Sequence, residues 1–407
     1  MSFWTLRYRE ARAIALIVAI VLWTLAAVFL FAKPGYRSIA GPLKGGDFIV
    51  HYVFGAAARA GEPAKLYDYA YLHALQTSIL PESAPERYLP VYPPQIFLVY
   101  LPLAFLSYAQ AAIVWSLAII AVYTWVVRAT WRASRDALPD GTFVAMAAAA
   151  FPPFWSLVLH GHNTIVPLLG FFLGWRALAR DRRFLAGLAF GLLFFKPQFG
   201  LVLAVFVICG REWAMLGGLA VAAGVQLAAV AAAFGLPVVL DYVRFMRVIA
   251  PVEYLIEPKP FELHSIRALT RLVPDGLGTI LWLGASVVVV HRAWHFWRRV
   301  GDAGARVGVL VLATVLVSPH LFLYDATVLA LTILLVGAWV ERDPVGRTVA
   351  AQYWPLVCGL FAAFLLPFAR IFFVQVSVLL MIWLLVILAR SVSPNPAPLS
   401  AQVPSRA

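Results

Sequence analysis

The first group in this chain that could do chemistry is a carboxylate in a glycine turn. Asp47 lies in Gly45-Gly46-Asp47-Phe48, beyond the first hydrophobic helix of a 407-residue sequence in which Asp and Glu total only 19. An ionised carboxylate fixed there could take a proton from an attacking hydroxyl. An aspartate after two glycines can equally cap a helix starting at Phe48, and spacing alone does not separate the two. Lys196, between Phe195 and Pro197 in an apolar run, reads either as a cation for a phosphate or as a lysine snorkelling from a helix end. His160, His162 and Asn163 follow an apolar stretch. The i, i+2 spacing puts the two histidines on different helix faces, so hydrogen bonding of a polar headgroup fits better than metal ligation. His320, Tyr324 and Asp325 fit one helical turn, with an interfacial aromatic and a helix cap as the plainer reading. His51, Gln198, and His264 with Ser265 and Arg267 complete the polar set; for the last three an ordinary solvated loop is the alternative.

The elements that position these residues are membrane helices. The chain is 63% hydrophobic and 13% charged, with a mean hydropathy of +0.86. Its apolar runs are continuous, so the reading is an all-α polytopic membrane protein and not an alternating barrel. Apolar segments fall near residues 14–32, 108–127, 142–159, 164–179, 184–195, 198–210, 213–235, 277–297, 305–318, 321–340, 350–367 and 371–390. That pattern predicts about 12 transmembrane helices, with 184–195 and 198–210 a broken pair around Lys196-Pro197. Ile96 to Leu106, bracketed by Pro93-Pro94 and Pro102, reads as re-entrant or interfacial. With the N-terminus inside, the short even-numbered loops carry Arg128, Arg132, Arg135, Arg176, Arg180, Arg182, Arg183, Arg211, Arg292, Arg298, Arg299, Arg306, Arg342 and Arg347. The arginines then sort to the cytoplasmic side, as the positive-inside rule expects. The polar motifs sort to the other.

Two loops on that other side are long. Residues 33–95 hold Asp47, Tyr67, Tyr69, Tyr71 and Tyr92-Pro93-Pro94; residues 236–276 hold Asp241, Glu253, Glu257, Lys259, Glu262, His264 and Arg267. Residues 1–390 read as one integral membrane domain, and 391–407, rich in Pro, Ser and Ala, as a disordered cytoplasmic tail. The N-terminal apolar run is long and lacks a small-residue cleavage site, which reads as an anchor helix. The formal charge of +13 follows from the loop arginines, and no nucleic-acid partner is expected. Cys209 and Cys358 lack metal-ligand spacing. No Walker motif or nucleotide fold is present, which points away from a soluble sugar-nucleotide donor. No internal repeat of the transporter kind is evident.

An ordered set of short motifs carries a resemblance. It comprises Gly46-Asp47-Phe48, Ala56 to Gly61, Tyr67, Tyr92-Pro93-Pro94, Pro102-Leu103-Ala104 and His160-Gly161-His162-Asn163. It continues with Ala186-Gly187, Lys196-Pro197-Gln198, Arg211-Glu212-Trp213, Ser318-Pro319-His320 and Tyr324-Asp325. Over roughly residues 10–390 the chain resembles glycosyltransferase family 87, membrane enzymes of the GT-C class that use polyprenyl-phosphate sugars. The resemblance implies a GT-C fold in the plasma (inner) membrane and a site on the extracytoplasmic side. It implies transfer of a hexose, often mannose, from a polyprenyl-phosphate donor to a lipid or glycan acceptor, with no cofactor. Asp47 matches the family's expected catalytic base. His162 stands where the family pattern carries glutamine. Lys196, His320, His264 and Arg267 are the candidates for the donor phosphate. His160, His162, Asn163, Gln198, Tyr324 and Asp325 are those for the rest of the substrate. No metal is expected, since no second acid stands at fixed spacing from Asp47. The rival readings are a transporter or flippase for a glycolipid, and a non-catalytic assembly partner.

Overall fold

The structure, a computed structural model, describes residues 3–249, 262–365, 371 and 374–392. Within them every regular element is helical, apart from one isolated bridge between Arg37 and Leu43. Glu253, Glu257, Lys259, the Pro367 to Arg370 segment and the C-terminal tail lie outside the described residues.

The first half begins with α1 (Phe3–Phe31). It continues with α2 (Phe48–Ala60), α3 (Tyr69–Ile79) and α4 (Gln95–Tyr100), then α5 (Tyr108–Arg132), α6 (Gly141–Ala149), α7 (Pro152–His160), α8 (Ile165–Leu178) and α9 (Arg183–Phe190). The second half comprises α10 (Pro197–Cys209), α11 (Trp213–Phe234), α12 (Pro237–Ile249), α13 (Ile266–Thr270), α14 (Asp275–Arg299) and α15 (Ala303–Val317). A 3-10 turn over Leu323–Val328 then leads into α16 (Leu329–Arg342), followed by α17 (Pro344–Arg347), α18 (Ala350–Leu365) and α19 (Val376–Ser391).

Five of these are long and apolar enough to cross a bilayer, and a sixth is obtained if α6 and α7 count as one span bent by 47°. Pro152 and Pro153 explain the bend, since proline cannot donate to the preceding turn. The remaining apolar helices have 10–17 residues. At about 1.5 Å per residue they fall short of a ~30 Å hydrocarbon core. The segment 96–106 is such a piece: α4 runs directly into a 3-10 turn over Leu101–Phe105. At Lys196-Pro197 the chain breaks as its sequence suggests, with a 3-10 turn over Gly191–Phe195 before it and α10 after it.

The molecule has a lipid-facing periphery and an apolar centre. The span Leu323–Arg342 is 83% buried, against 17–28% for the other four long spans. Neighbouring α15 is buried along nearly its whole length. Its Val, Leu and Ala side chains need no polar partners there, and dispersion contacts hold the packing. Around this pair α1 is tied to the bent span by Arg12 on Asp140 (2.7 Å), Trp23 on the Ala149 carbonyl (2.9 Å) and Trp155 on the Leu22 carbonyl (2.6 Å). α9 and α11 cross at Gly187 and Gly218. A Cβ on either would lie about 2 Å from a backbone carbonyl of the other helix (2.0 Å from Met215, 2.1 Å from Phe184). Cys209 and Cys358 are both free and exposed.

Candidate active site

The Asp47 turn is built against the end of α7. The Asp47 amide donates to the His160 carbonyl (3.1 Å), the Phe48 amide to Gly45 (2.8 Å), and the Tyr88 hydroxyl to the Gly46 carbonyl (2.7 Å). From the other side, the Trp115 indole of α5 donates to the Gly161 carbonyl (2.9 Å). Gly161 ends α7 in a left-handed conformation (φ 61°), and a Cβ there would come within 2.7 Å of the Phe48 Cβ. Only glycine meets both demands.

Asp47 occupies the N-cap position of α2, but its side chain makes no capping hydrogen bond. Its residue keeps partial solvent access while its carboxyl is surrounded by protein. It therefore stands at the edge of the protein interior. Burial raises its pKa above the usual 3.8. The neighbouring His160, the Tyr324 hydroxyl and the Lys196 ammonium oppose that rise, while Asp325 adds to it.

Asp325 is in a different condition. It is 1% exposed and Lys196 3% exposed. The Lys196 ammonium donates to Asp325 Oδ1 at 2.6 Å, the Thr164 hydroxyl to the same oxygen at 2.5 Å, and the Phe322 amide to Oδ2 at 3.4 Å. Because a carboxylate only accepts, the order of donors can be read outward from it. Thr164 spends its proton on Asp325, so its oxygen accepts from His162 Nδ1 (3.0 Å). His162 Nε2 then accepts from the Tyr92 hydroxyl (3.0 Å). Burial, followed by the Lys196 charge, holds the His162 pKa well below its usual value, so the ring is the neutral tautomer this order requires.

Aromatic contacts close the cluster. Tyr324 stacks on His162 (3.9 Å between centroids, 22°) and meets His160 at 5.4 Å. His51 is fully buried, stacked on Tyr100 (4.9 Å) and edge-on to His162 (5.5 Å), and neither of its nitrogens has a partner. Asn163 is also fully buried. It lies beside Tyr92, and neither end of its carboxamide makes a well-formed hydrogen bond. Such orphaned buried groups cost about 1–3 kcal/mol each. A hydroxyl-rich ligand would satisfy them.

The structure thus brings together Asp47, His160, His162, Asn163, Lys196, His320, Tyr324 and Asp325. His320 is not on one helical turn with Tyr324 and Asp325, as their spacing suggests. It lies in the non-helical stretch before the 3-10 turn, edge-on to Phe322 (4.7 Å), because Pro319 and the cap at Phe322 delay the helix. Burial pushes its pKa down to about 4. His264, down to about 3 by burial, bonds Ser377 (2.8 Å), and its amide donates to Leu321 (2.8 Å). Both imidazoles are neutral near pH 7, so they can offset a developing charge only as N–H donors. Arg267 turns to α14, donating to Thr279 (3.1 Å) over the Trp282 ring. Gln198, in the first turn of α10, is partly exposed. Among the described residues no three His, Cys, Asp or Glu side chains converge as metal ligands do. Thr164 and Tyr88 hold the site together and carry no signal in the sequence, since a threonine or a loop tyrosine is unremarkable until its partner is known.

Apolar helices around the Asp47 carboxyl, a buried Lys196–Asp325 pair and neutral polar side chains define a multi-pass membrane protein with a polar candidate site. The chain belongs to glycosyltransferase family 87, whose family model matches residues 91–319, more than half of the sequence. That stretch contains Tyr92, His160 to Asn163, Lys196, His264 and Arg267; Asp47, His320, Tyr324 and Asp325 fall outside it. One relative is the polyprenol-phosphate-mannose-dependent alpha-(1-2)-phosphatidylinositol pentamannoside mannosyltransferase of Mycolicibacterium smegmatis. It is 26% identical over 280 residues, 66% of this chain and 64% of that protein. No solved structure matches.

Proposed function

We propose that this protein transfers a hexose, with mannose the first choice, from a polyprenyl-phosphate donor to a lipid or glycan hydroxyl on the extracytoplasmic face of the inner membrane. The observation that carries the reading is the state of Asp47. It stands where a helix cap would, does not cap, and has a raised pKa among His160, Tyr324, Lys196 and Asp325. Family membership and the mannosyl-transferring relative support the substrate class. The fold expected with it is the GT-C arrangement of about twelve crossings, with the N-terminus on the cytoplasmic side.

The reaction is a single displacement. Asp47 accepts the proton of the acceptor hydroxyl as its oxygen bonds to the anomeric carbon. The bond from that carbon to the phosphate oxygen breaks, and configuration inverts. The polyprenyl phosphate leaves as a monoester with one more negative charge. Lys196, held by Asp325, and the N–H group of His320 form the donor side of the site, the kind of preorganised electrostatics that stabilises such a charge. His51 and Asn163 supply unpaired donors and acceptors for sugar hydroxyls. A pKa above the usual carboxylate range makes Asp47 a stronger base at neutral pH.

The test uses purified protein, a radiolabelled polyprenyl-phosphate mannose and membrane lipid acceptors. New covalent product is expected, with Asp47→Ala slowing its formation by about 10²–10⁴-fold. Label moved across a vesicle without new product would favour a transporter. Near wild-type transfer by a folded Asp47→Ala protein would remove the proposed base.

A further inference from the structure

A cavity edged by arginines lies at the other end of α5. It has a volume of about 360 Å³ and is lined by Trp125, Arg128, Ala129, Arg132, Ala133 and Arg176. The four α5 residues and the C-cap Ala133 recur at three- and four-residue steps, so they form one face of that helix. Arg176 comes from α8, which is clamped to α5 by the Trp125–Phe172 edge contact (4.9 Å). Trp115 marks the level of the candidate active site through its bond to Gly161. Arg128 is 13 residues further on, roughly 20 Å along the helix. The cavity therefore opens towards the opposite membrane face from Asp47.

Three guanidinium groups surround this space and none has an acidic partner among the described residues. The first acid after Arg132, Asp136, turns instead to Arg342 (3.5 Å). Arg176 rests partly on the Trp175 ring (5.6 Å). Some arginines on this face are neutralised, Arg12 by Asp140 and Arg183 by Asp181 and Glu212, whereas others, such as Arg180, are not but stand outside the cavity. Loop arginines that serve only to orient the chain need not converge on a cavity. Here they do, beside a tryptophan that is 50% exposed, in the manner of an indole at a membrane interface. Arg128 and Arg132 also sit in the last turns of α5, so the ligand must outweigh their attraction to the helix C-terminus.

We infer that this cavity binds the phosphate head group of an anionic glycerophospholipid from the leaflet opposite the candidate active site. The guanidinium forks match phosphate oxygens, the volume accepts a head group, and Trp125 flanks the acyl–headgroup boundary. The inference does not depend on the proposed glycosyl transfer.

The experiment takes the full chain in neutral detergent with equal phosphatidylglycerol and phosphatidylcholine, removes free lipid by size exclusion, and quantifies what is retained by mass spectrometry. Wild type is expected to favour phosphatidylglycerol by at least about tenfold, at roughly a fivefold gain per arginine. The triple variant Arg128→Gln, Arg132→Gln, Arg176→Gln should lose that preference. A control triple variant, Arg180→Gln, Arg182→Gln, Arg211→Gln, on the same face but outside the cavity, should keep it. Should the first triple variant not fold, the single Arg128→Gln and Arg176→Gln changes carry the test, each lowering retention about fivefold. An unchanged preference in the cavity variants overturns the assignment. So does equal loss in the control, which would mean diffuse charge. Full displacement of the lipid by millimolar inorganic phosphate would make the cavity a site for free anions and overturn it too.

Discussion

Asp47 and Asp325 belong to one polar cluster, and their surroundings treat them in opposite ways. Asp325 is sealed from solvent and accepts from Lys196, Thr164 and the Phe322 amide. Asp47 keeps partial exposure and makes no cap; its backbone is fixed by the Gly45-Gly46 turn, and the Tyr324 hydroxyl is the one side-chain hydrogen-bond partner found for its carboxyl. With three donors on about four acceptor sites, the Asp325 carboxylate has little capacity left for a substrate proton. Its job is to hold Lys196, and through Thr164 and His162 the Tyr92 hydroxyl, in place. An unsaturated carboxylate with a raised pKa is free to act. The lesson is that acids in a membrane protein are better sorted by how many of their acceptor sites are filled than by burial alone.

The comparison breaks first at the ion pair. Asp325→Asn or Lys196→Met alone should lower stability by about 3–5 kcal/mol, because each strands the other charge in an apolar interior. The double change Lys196→Met, Asp325→Leu should recover much of that loss, though not activity. Thermal unfolding in detergent measures both, and a single Asp325→Asn protein as stable as wild type would end the structural reading of that residue.

Asp47→Asn should do the reverse, leaving the melting temperature unchanged or slightly higher while transfer is lost. A carboxyl whose folded pKa is raised favours folding below its ordinary pKa of 3.8. That favour is lost as pH climbs through the raised value. At neutral pH the wild type therefore bears the cost of an ionised Asp47, and asparagine relieves it. A clear fall in melting temperature would place Asp47 with Asp325 as a structural acid.

The smallest expected effect is at Tyr324, whose hydroxyl favours the ionised form of Asp47. Tyr324→Phe should move the acid limb of the pH–rate profile upward by about one unit or less, with the plateau rate little changed. A downward shift would contradict the assigned contact.

Much of the candidate site was legible before any coordinates. The Gly45-Gly46-Asp47 turn, the His160 to Asn163 motif, the Lys196-Pro197 break and the Ser318 to Asp325 motif each pair scarce polar residues with helix ends. Sorting apolar segments by loop charge leads one to expect them on a common side. Helix lengths were less legible: hydropathy joins 142–159 into one run, whereas backbone chemistry at Pro152 bends it. His320 was misplaced onto a helix because i, i+4 arithmetic ignores where the helix starts.

The sequence by itself determined that the chain is helical and membrane-embedded and which residues are its scarce acids and histidines. Those properties are local: they depend on composition, on short motifs and on the cost of unpaired backbone groups in lipid. Only the tertiary structure decided partners. Lys196 and Asp325 are 129 residues apart and share one proton-rich contact; Asp47 rests on His160; Arg176 completes a cavity begun by Arg128 and Arg132. A charge three helices away in space can cancel, raise or spare an ionisable group, and nothing in its own neighbourhood along the chain records which.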